Sequence, residues 1–257
     1  MSMLWAISLY NLKPGASPDS FLSHWAGGLP AYERYLQARG QYFLGLYRVE
    51  LELKPGTGNL GIALSGTWAE VSLVEGTTVS QAALCEVQFA RPASIQDWLN
   101  RRLAWIAPEG LTRLWLQPLG LSPLAAVPLI LRDRLLHLTL RHLPAGKTIQ
   151  ELIEFDERII ARYAEYMIQA HWFHIGTYHI FGLAEYMYVD TLDVIEAASR
   201  AEALTNDAAV PVAPELQAIY DECNLFLDKN RERYQLWLTP VLTGQAAQGE
   251  VRLGGGH

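Results

Sequence analysis

The stretch Tyr163–Ile180 repeats the stretch Tyr32–Val49. At a constant offset of 178 − 47 = 131 residues, Tyr32 falls on Tyr163, Tyr35 on Tyr166, Leu44 on Ile175, Gly45 on Gly176 and Tyr47 on Tyr178. Both stretches pass from the end of an amphipathic helical pattern into an apolar, aromatic strand pattern. Two further blocks agree in order. Leu140-Arg141-His142-Leu143 falls on Leu9-Tyr10-Asn11-Leu12 at the same offset, with Thr148 on Ser17. Leu236-Trp237-Leu238-Thr239-Pro240 mirrors Leu114-Trp115-Leu116-Gln117-Pro118 at 237 − 115 = 122. One supersecondary unit written twice explains all three blocks. A shortened loop and an added helix in the second copy would explain the changed offset.

Within the first copy, the alternation of Leu4 to Leu12 predicts a strand. Ser17 as N-cap, Pro18 at the first helical position and Asp19 in the first turn predict a helix to about Arg39, kinked at Gly27, Gly28 and Pro30. Strands are predicted over Tyr42 to Leu53, Ala82 to Phe89 and Leu111 to Pro118, with a helix over Pro92 to Trp105. Lys54 to Thr78 reads as a loop or hairpin excursion with short strands inside it. In the second copy, a helix capped by Thr148 runs from Ile149 to about Gln169. Strands follow over Trp172 to Phe181 and Ala184 to Val189, then a helix over Leu192 to Leu204, a loop over Asn206 to Pro214 and an extra helix over Glu215 to Arg231. The domain reading is a first unit over 1–118, a packed linker over 119–132, a second unit over 133–242, and a Gly-rich, disordered tail over 243–257.

Half of the residues are hydrophobic and only 18% are charged, with 8 Trp and 12 Tyr, so the chain can bury a core and is not a disordered one. A formal charge of −7 excludes nucleic acid and anionic membranes as natural partners, since both demand basic patches. Cys85 and Cys223 make no disulfide framework and fit a reduced, cytoplasmic setting. The N-terminus enters a strand pattern at once, without the basic start and cleavage site of a signal peptide. Pro118, Pro123 and Pro128 interrupt the most apolar stretch, which argues against a membrane-spanning helix.

Strand-helix-strand twice per copy is the split βαβ, or ferredoxin-like, pattern, an α+β arrangement with helices on one face of an antiparallel sheet. The uncovered faces of two such sheets must meet, and two fused units allow them to pack into an α/β barrel within one chain. A further homodimer stays open. The order of elements resembles the dimeric α/β-barrel superfamily. The residues that carry the resemblance are Leu9-Tyr10-Asn11-Leu12-Lys13-Pro14-Gly15, the helix holding His24-Trp25, and the paired strands Tyr42 to Val49 and Phe173 to Ile180. The superfamily includes antibiotic-biosynthesis monooxygenases, EthD-like proteins, cyclases, isomerases, stress-response barrels and haem proteins. The resemblance implies a pocket between sheet and helices within a unit, and it does not name a reaction.

His171, His174 and His179 cluster in sequence, but on a strand His174 faces away from the other two, and His171 and His179 lie about 26 Å apart at ~3.3 Å per residue. That spacing makes no metal site. His174 replaces the aromatic Phe43 of the first copy, and on even spacing it shares a face with Gly176 and Tyr178. It reads either as a core histidine with one hydrogen bond or as a general base poised near neutrality. The pairs Tyr32/Tyr35 and Tyr163/Tyr166, with Tyr47 and Tyr178, suit either core packing or a pocket for a planar ligand. His24 and Trp25 on the first helix, and Arg48 and His179 at matching strand positions, are further candidates. No GxGxxG, Walker, HExxH or GxSxG motif occurs.

The expectation is therefore a small-molecule enzyme acting on a hydrophobic, aromatic or polycyclic substrate without a cofactor, by monooxygenation, cyclisation or isomerisation. His174, Tyr166, Tyr178 and His179 are the expected catalytic residues. Tyr163, Trp172, Tyr186, His24, Trp25, Tyr32, Tyr35 and Arg48 are the expected substrate-binding residues. No metal is expected. A haem protein and a non-catalytic stress-response or ligand-binding barrel are the alternatives.

Overall fold

Met3–Tyr10 forms strand β1 with almost every residue buried. Trp5, Ile7 and Leu9 point to one core, whereas Ala6 and Tyr10 pack under helices on the other side. A strand covered on both faces has no polar alternation, which is why this run is apolar apart from Ser8. In the computed structural model the described residues are 3–53, 66–76, 78–88, 91–108, 111–143, 146–183, 187–226 and 233–251.

Helix α1, Pro18–Gln37, starts where Ser17 accepts the Ser20 N–H. It runs unbroken through Gly27, Gly28 and Pro30, where a kink is expected from sequence. Gly28 has a packing reason instead: a Cβ there would lie 2.0 Å from Trp98 Nε1. Strands β2 (Gln41–Leu53) and β3 (Trp68–Glu75), helices α2 (Val79–Gln88) and α3 (Ala93–Arg102), and strand β4 (Thr112–Leu121) complete the first half. The run from Ala82 is thus helical and not a strand, and the strand lies earlier, inside the expected excursion. An apolar run of this length fits either period. Here Ala82 tucks fully buried into a cluster with Leu4, Ala6 and Val74, and the Thr78 hydroxyl accepts the Gln81 N–H.

The second half comprises β5 (Leu135–His142), α4 (Ile149–Met167), β6 (Trp172–Phe181), β7 (Met187–Ile195), α5 (Arg200–Ala209), α6 (Pro214–Phe226) and β8 (Arg233–Thr243). Thr148 and Glu151 form a full capping box at the start of α4. Residues 192–195, expected in a helix, continue β7, and the helix begins only after the Ser199 cap. The final helix is not an insertion. The start of α5 stands 200 − 79 = 121 residues after that of α2, and the start of α6 stands 214 − 93 = 121 after that of α3. The offset falls from 131 to 121 between β2 and β3, so the loop there accounts for the change.

The eight strands close into an antiparallel barrel in the order β1-β3-β2-β8-β5-β7-β6-β4. The protein is an α+β barrel with seven α-helices among the described residues. Each half contributes one consecutive run, β4-β1-β3-β2 and β8-β5-β7-β6. The runs meet at two seams, and a glycine sits at each. A Cβ on Gly45 would lie 2.5 Å from Leu242 O, and one on Gly176 would lie 2.3 Å from Gly120 O. Each glycine also sits at a register shift against the neighbouring strand of its own half, and lacking a Cβ it lets the seam backbones lie this close.

The barrel interior is filled. Trp5, Tyr47, Tyr178, Tyr234 and aliphatic side chains from all eight strands form a single buried cluster. Ala125 of the 3-10 turn Pro123–Ala126, with Leu129 and Leu131, joins this cluster. Residues 245–251 of the tail pack too, against the expectation of disorder, and 252–257 lie outside the described residues. Helix α7, Gln245–Gln248, buries Ala247, and Val251 exchanges two backbone hydrogen bonds with Leu129. No helix among the described residues is long and apolar enough to cross a membrane.

Candidate functional site

With the barrel filled, open volume lies outside it, between sheet and helices. In the second half a cavity of about 470 Å³ opens between strands β5 to β8 and helices α4 to α6, within the usual range of about 300–1,000 Å³ for small-molecule sites. Its floor includes His137 and His174, joined through Asp193 beneath them on the strand between. His137 on β5 pairs in register with Asp193 on β7, and Asp193 pairs in register with His174 on β6. Directly opposed residues on one face of a sheet meet, and these three do. His137 Nδ1 donates to Asp193 Oδ2 at 3.0 Å, and His174 Nδ1 donates to Asp193 Oδ1 at 2.8 Å. All three are buried, Asp193 completely.

Burial alone would push the Asp193 carboxyl upward, but the hydrogen bonds from His137 and His174 outweigh it and hold the pKa below the ordinary value. An ionised Asp193 accepts from both histidines through Nδ1–H, which leaves Nε2 of each ring as the basic nitrogen. Aromatic side chains surround the pair. Trp172 meets His137 edge-on at 5.2 Å, Trp237 lies 4.4 Å from it, and Tyr163 on α4 meets His174 edge-on at 5.1 Å. Ile159, Ile160, Met167 and Leu204 add apolar wall. Arg141 is a cation on the wall, and Arg200 is tied to Glu52 at 2.5 Å and Glu50 at 3.3 Å. Asp207 lies above the floor with its pKa raised, first by burial and then by the charge of Asp193.

Of the residues singled out from sequence, His174, Tyr163 and Trp172 line this cavity. The others lie elsewhere. Tyr178 is fully buried inside the barrel, on the opposite face from His174. Register shifts on either side of Gly176 break the strand's two-residue period and overturn the expectation from even spacing. Tyr166 borders a separate recess of about 180 Å³ behind α4. His179 is on the outer face but packs on Phe181, at 4.1 Å, and its pKa is lowered by burial. Arg48 is exposed and lies over the Trp68 ring. His24 is stacked on Trp98 and donates from Nε2 to the Trp98 carbonyl at 3.1 Å, and Trp25 is fully buried against Phe43. Tyr32 and Tyr35 line a second cavity, in the first half. Tyr186 lies outside the described residues.

His137 and Asp193 are not recognisable from local sequence. A signal does exist in the repeat. In the first half the same register joins Ala6 to Ser72 and Ser72 to Phe43. Thus Ala6, Ser72 and Phe43 stand where His137, Asp193 and His174 stand, and all three positions gain a titratable group together. Among the described residues no group of three or more His, Cys, Asp or Glu is arranged to hold a metal ion.

No family model matches the chain, and no curated protein matches it by sequence. Solved structures do match in shape. A candidate monooxygenase from Fusobacterium nucleatum subsp. nucleatum ATCC 25586 superposes with a TM-score of 0.53 at 10% identity, over 97% of this chain and 96% of that one. An anthrone oxidase-like protein gives 0.47 at 9% identity, over 94% of this chain and 92% of that one. A candidate chlorite dismutase gives 0.47 at 10%, over 94% and 96%. At such identities the likeness to the first of these is one of fold: the chain shares the eight-stranded ferredoxin-like α/β-barrel architecture.

Proposed function

We propose that the chain is two tandem ferredoxin-like units, 1–118 and 133–242 joined by 119–132, and that the second is a small-molecule enzyme using His174 as a general base. The observation that carries this reading is the buried Asp193 held between two imidazoles on the floor of an aromatic-walled cavity. The matching ladders of the two halves support the tandem arrangement. The reaction class is proton abstraction from a carbon acid or phenol of a hydrophobic aromatic substrate, the step shared by cofactor-independent monooxygenation, cyclisation and isomerisation. His174 Nε2 takes the proton, and Asp193 stabilises the imidazolium that forms, as the carboxylate does in a catalytic triad. The electron pair stays on the substrate, where the charge of Arg141 on the cavity wall stabilises a developing enolate or phenolate. Trp172, Trp237 and Tyr163 supply flat apolar surface for an aromatic ring. The barrel itself is filled, and the open volume above His174 outside it favours a ligand-binding second unit over a purely structural one.

The test is a panel of polycyclic phenols and ketones incubated in air and in D₂O, read by mass spectrometry for oxygen or deuterium uptake. Wild type should turn over at least one member, and His174→Ala should lose about 10²–10⁴-fold in rate, the usual contribution of a general base, with its cavity still able to bind the compound. Equal rates in wild type and His174→Ala would sink the assignment.

The held imidazole favours a second reading. An imidazole whose Nδ1 is fixed by a buried carboxylate is also a suitable metal ligand. The cavity's donors would suit a haem, with His174 Nε2 to hold the iron and Arg141 on the same wall as a cation for a propionate. When bound, the group would supply redox chemistry. A Soret band in the purified protein, shifted in His174→Ala, distinguishes this reading from the first.

A further inference from the structure

His174 is only one of the two imidazoles that Asp193 holds. His137 lines the same cavity and is just as deeply set, at 3% exposed against 2% for His174. Among the described residues each ring makes a single hydrogen bond, from Nδ1 to Asp193. Nε2 of His137 is therefore left to the cavity in the same way as Nε2 of His174. A base made of His174 and Asp193 alone would need nothing polar on β5. The equivalent residue of the first half is Ala6, since 137 − 6 = 131. A buried imidazole in place of a methyl group costs desolvation, and one hydrogen bond satisfies only half of it.

Charge and spacing limit what such a pair can do. Asp193 is ionised, and one buried carboxylate neutralises one imidazolium. With both Nε2 atoms bare the row His137-Asp193-His174 would carry a net negative charge, and with both protonated a net positive one. Either is costly to bury. One proton shared between the two Nε2 atoms leaves the row neutral, with one ring an acid and the other a base. The rings stand on β5 and β6, on either side of β7. Two strand spacings of ~4.8 Å set them about 9.5 Å apart, since side chains stand roughly perpendicular to a sheet. A reacting atom comes to about 3–3.5 Å from each nitrogen, which leaves roughly 3 Å between the two reacting atoms of a bridging ligand. That is the span of a three-carbon unit.

We propose that His137 is the acid partner of His174 and that the reaction is an isomerisation, an allylic proton shift in an aromatic ketone whose carbon–carbon double bond stands one carbon away from conjugation. His174 Nε2 removes a proton from the carbon between carbonyl and double bond. The electron pair of that C–H bond forms the enolate. As the carbonyl re-forms, the pair of the old double bond makes a new C–H bond at the far carbon with the proton of His137 Nε2. The double bond ends conjugated with the carbonyl, nothing is oxidised or reduced, and no co-reactant is consumed. Both rings keep their Nδ1 protons on Asp193 throughout. His174 ends protonated and His137 bare, and exchange with water through the open cavity resets them. The inference rests on His174 as the base, and it selects isomerisation from the three reaction classes that such a base serves.

Phenyl allyl ketone is the probe, followed by NMR with the full chain in D₂O. Wild type should convert it to the conjugated isomer, phenyl propenyl ketone, with solvent deuterium at the far carbon. His137→Asn keeps an amide N–H where Nδ1 stood, so it can still hold Asp193, but it has no Nε2. It should form product at least ~10²-fold more slowly while still exchanging the hydrogens beside the carbonyl for deuterium, the step that needs only His174. His174→Ala should lose both. Should His137→Asn fail to fold, His137→Ala, which restores the residue type of Ala6, should regain product formation with added imidazole. Product at the wild-type rate in His137→Asn, no rescue of His137→Ala, or wild-type product carrying the substrate's own protium at the far carbon would each overturn the acid role and leave His174 standing as base. Exchange that survives in His174→Ala, a Soret band that shifts in His174→Ala, or a wild type with neither exchange nor product above the uncatalysed rate would overturn the base and the acid together.

Discussion

Replacing Asp193 by Asn perturbs the row of three at its centre while keeping its shape. The carboxylate is wholly buried and accepts from His137 at 3.0 Å and from His174 at 2.8 Å. An amide has one accepting oxygen and one donating nitrogen, so the side chain of the Asp193→Asn variant can accept from only one histidine. The other must adopt the opposite tautomer and accept at Nδ1, which takes away its basic Nε2. Each charge-assisted hydrogen bond contributes about 1.5–3 kcal/mol, and relief from burying a charge offsets part of that. A net loss of about 2–4 kcal/mol follows at neutral pH. A chain of this size moves its Tm by roughly 2–4 °C per kcal/mol, so a fall on the order of 10 °C is expected by calorimetry. The pH dependence has a definite sign. The hydrogen bonds from both histidines overcome burial and keep the folded-state pKa of Asp193 low. Its stabilisation is therefore complete above the unfolded carboxylate value near ~3.9 and is lost as pH falls through the lower folded value. The gap between wild type and Asp193→Asn should narrow in acid. An unchanged Tm at pH 7, or a gap that widens as pH falls, would refute the reasoning.

Gly176→Ala should cost roughly 2–5 kcal/mol in urea denaturation, because its Cβ meets the Gly120 carbonyl at 2.3 Å and backbone cannot move aside cheaply. A cost below ~1 kcal/mol would show that the seam tolerates separation. Arg102→Ala should cost about 3 kcal/mol, the lower end of the range for leaving a buried carboxylate without its cation, since the Arg102 side chain is 16% exposed and Glu70 only 5%. Adding Glu70→Gln should recover part of that loss, and a lack of recovery would count against the ion pair. Deleting residues 245–257 should destabilise by about 3 kcal/mol, from three backbone hydrogen bonds, Leu129 N–H to Val251 O, Val251 N–H to Leu129 O and Arg132 N–H to Ala247 O, at about 1 kcal/mol each. A truncated chain as stable as the full one would mean that the packing of α7 contributes nothing.

Local physics makes much of the chain legible. The Ser17 and Thr148 caps are readable because a cap and its partner lie three residues apart. Strands β1, β2 and β6 are readable because their apolar runs are bounded by Pro, Gly and cap residues. The runs at Ala82 and Leu192 mislead because short apolar runs satisfy either period. Burial against β1 and β3 makes the choice for one, and pairing between β5 and β6 makes it for the other. The face of Tyr178 misleads because a bulge has no signature in a single strand. It arises where Gly176 lets two backbones approach across a seam.

The repeated blocks, most of the order of elements within each half and the aromatic content of both cavities are legible along the chain, since they depend on residues close together in it. It also shows a histidine, His174, at the position where the first copy has Phe43. What that histidine touches depends on how the barrel closes. His137 lies 56 residues from Asp193 and His174 lies 19 from it. They meet because closing the barrel sets β7 between β5 and β6 in one register, and no periodicity along a strand states which strand will lie beside it.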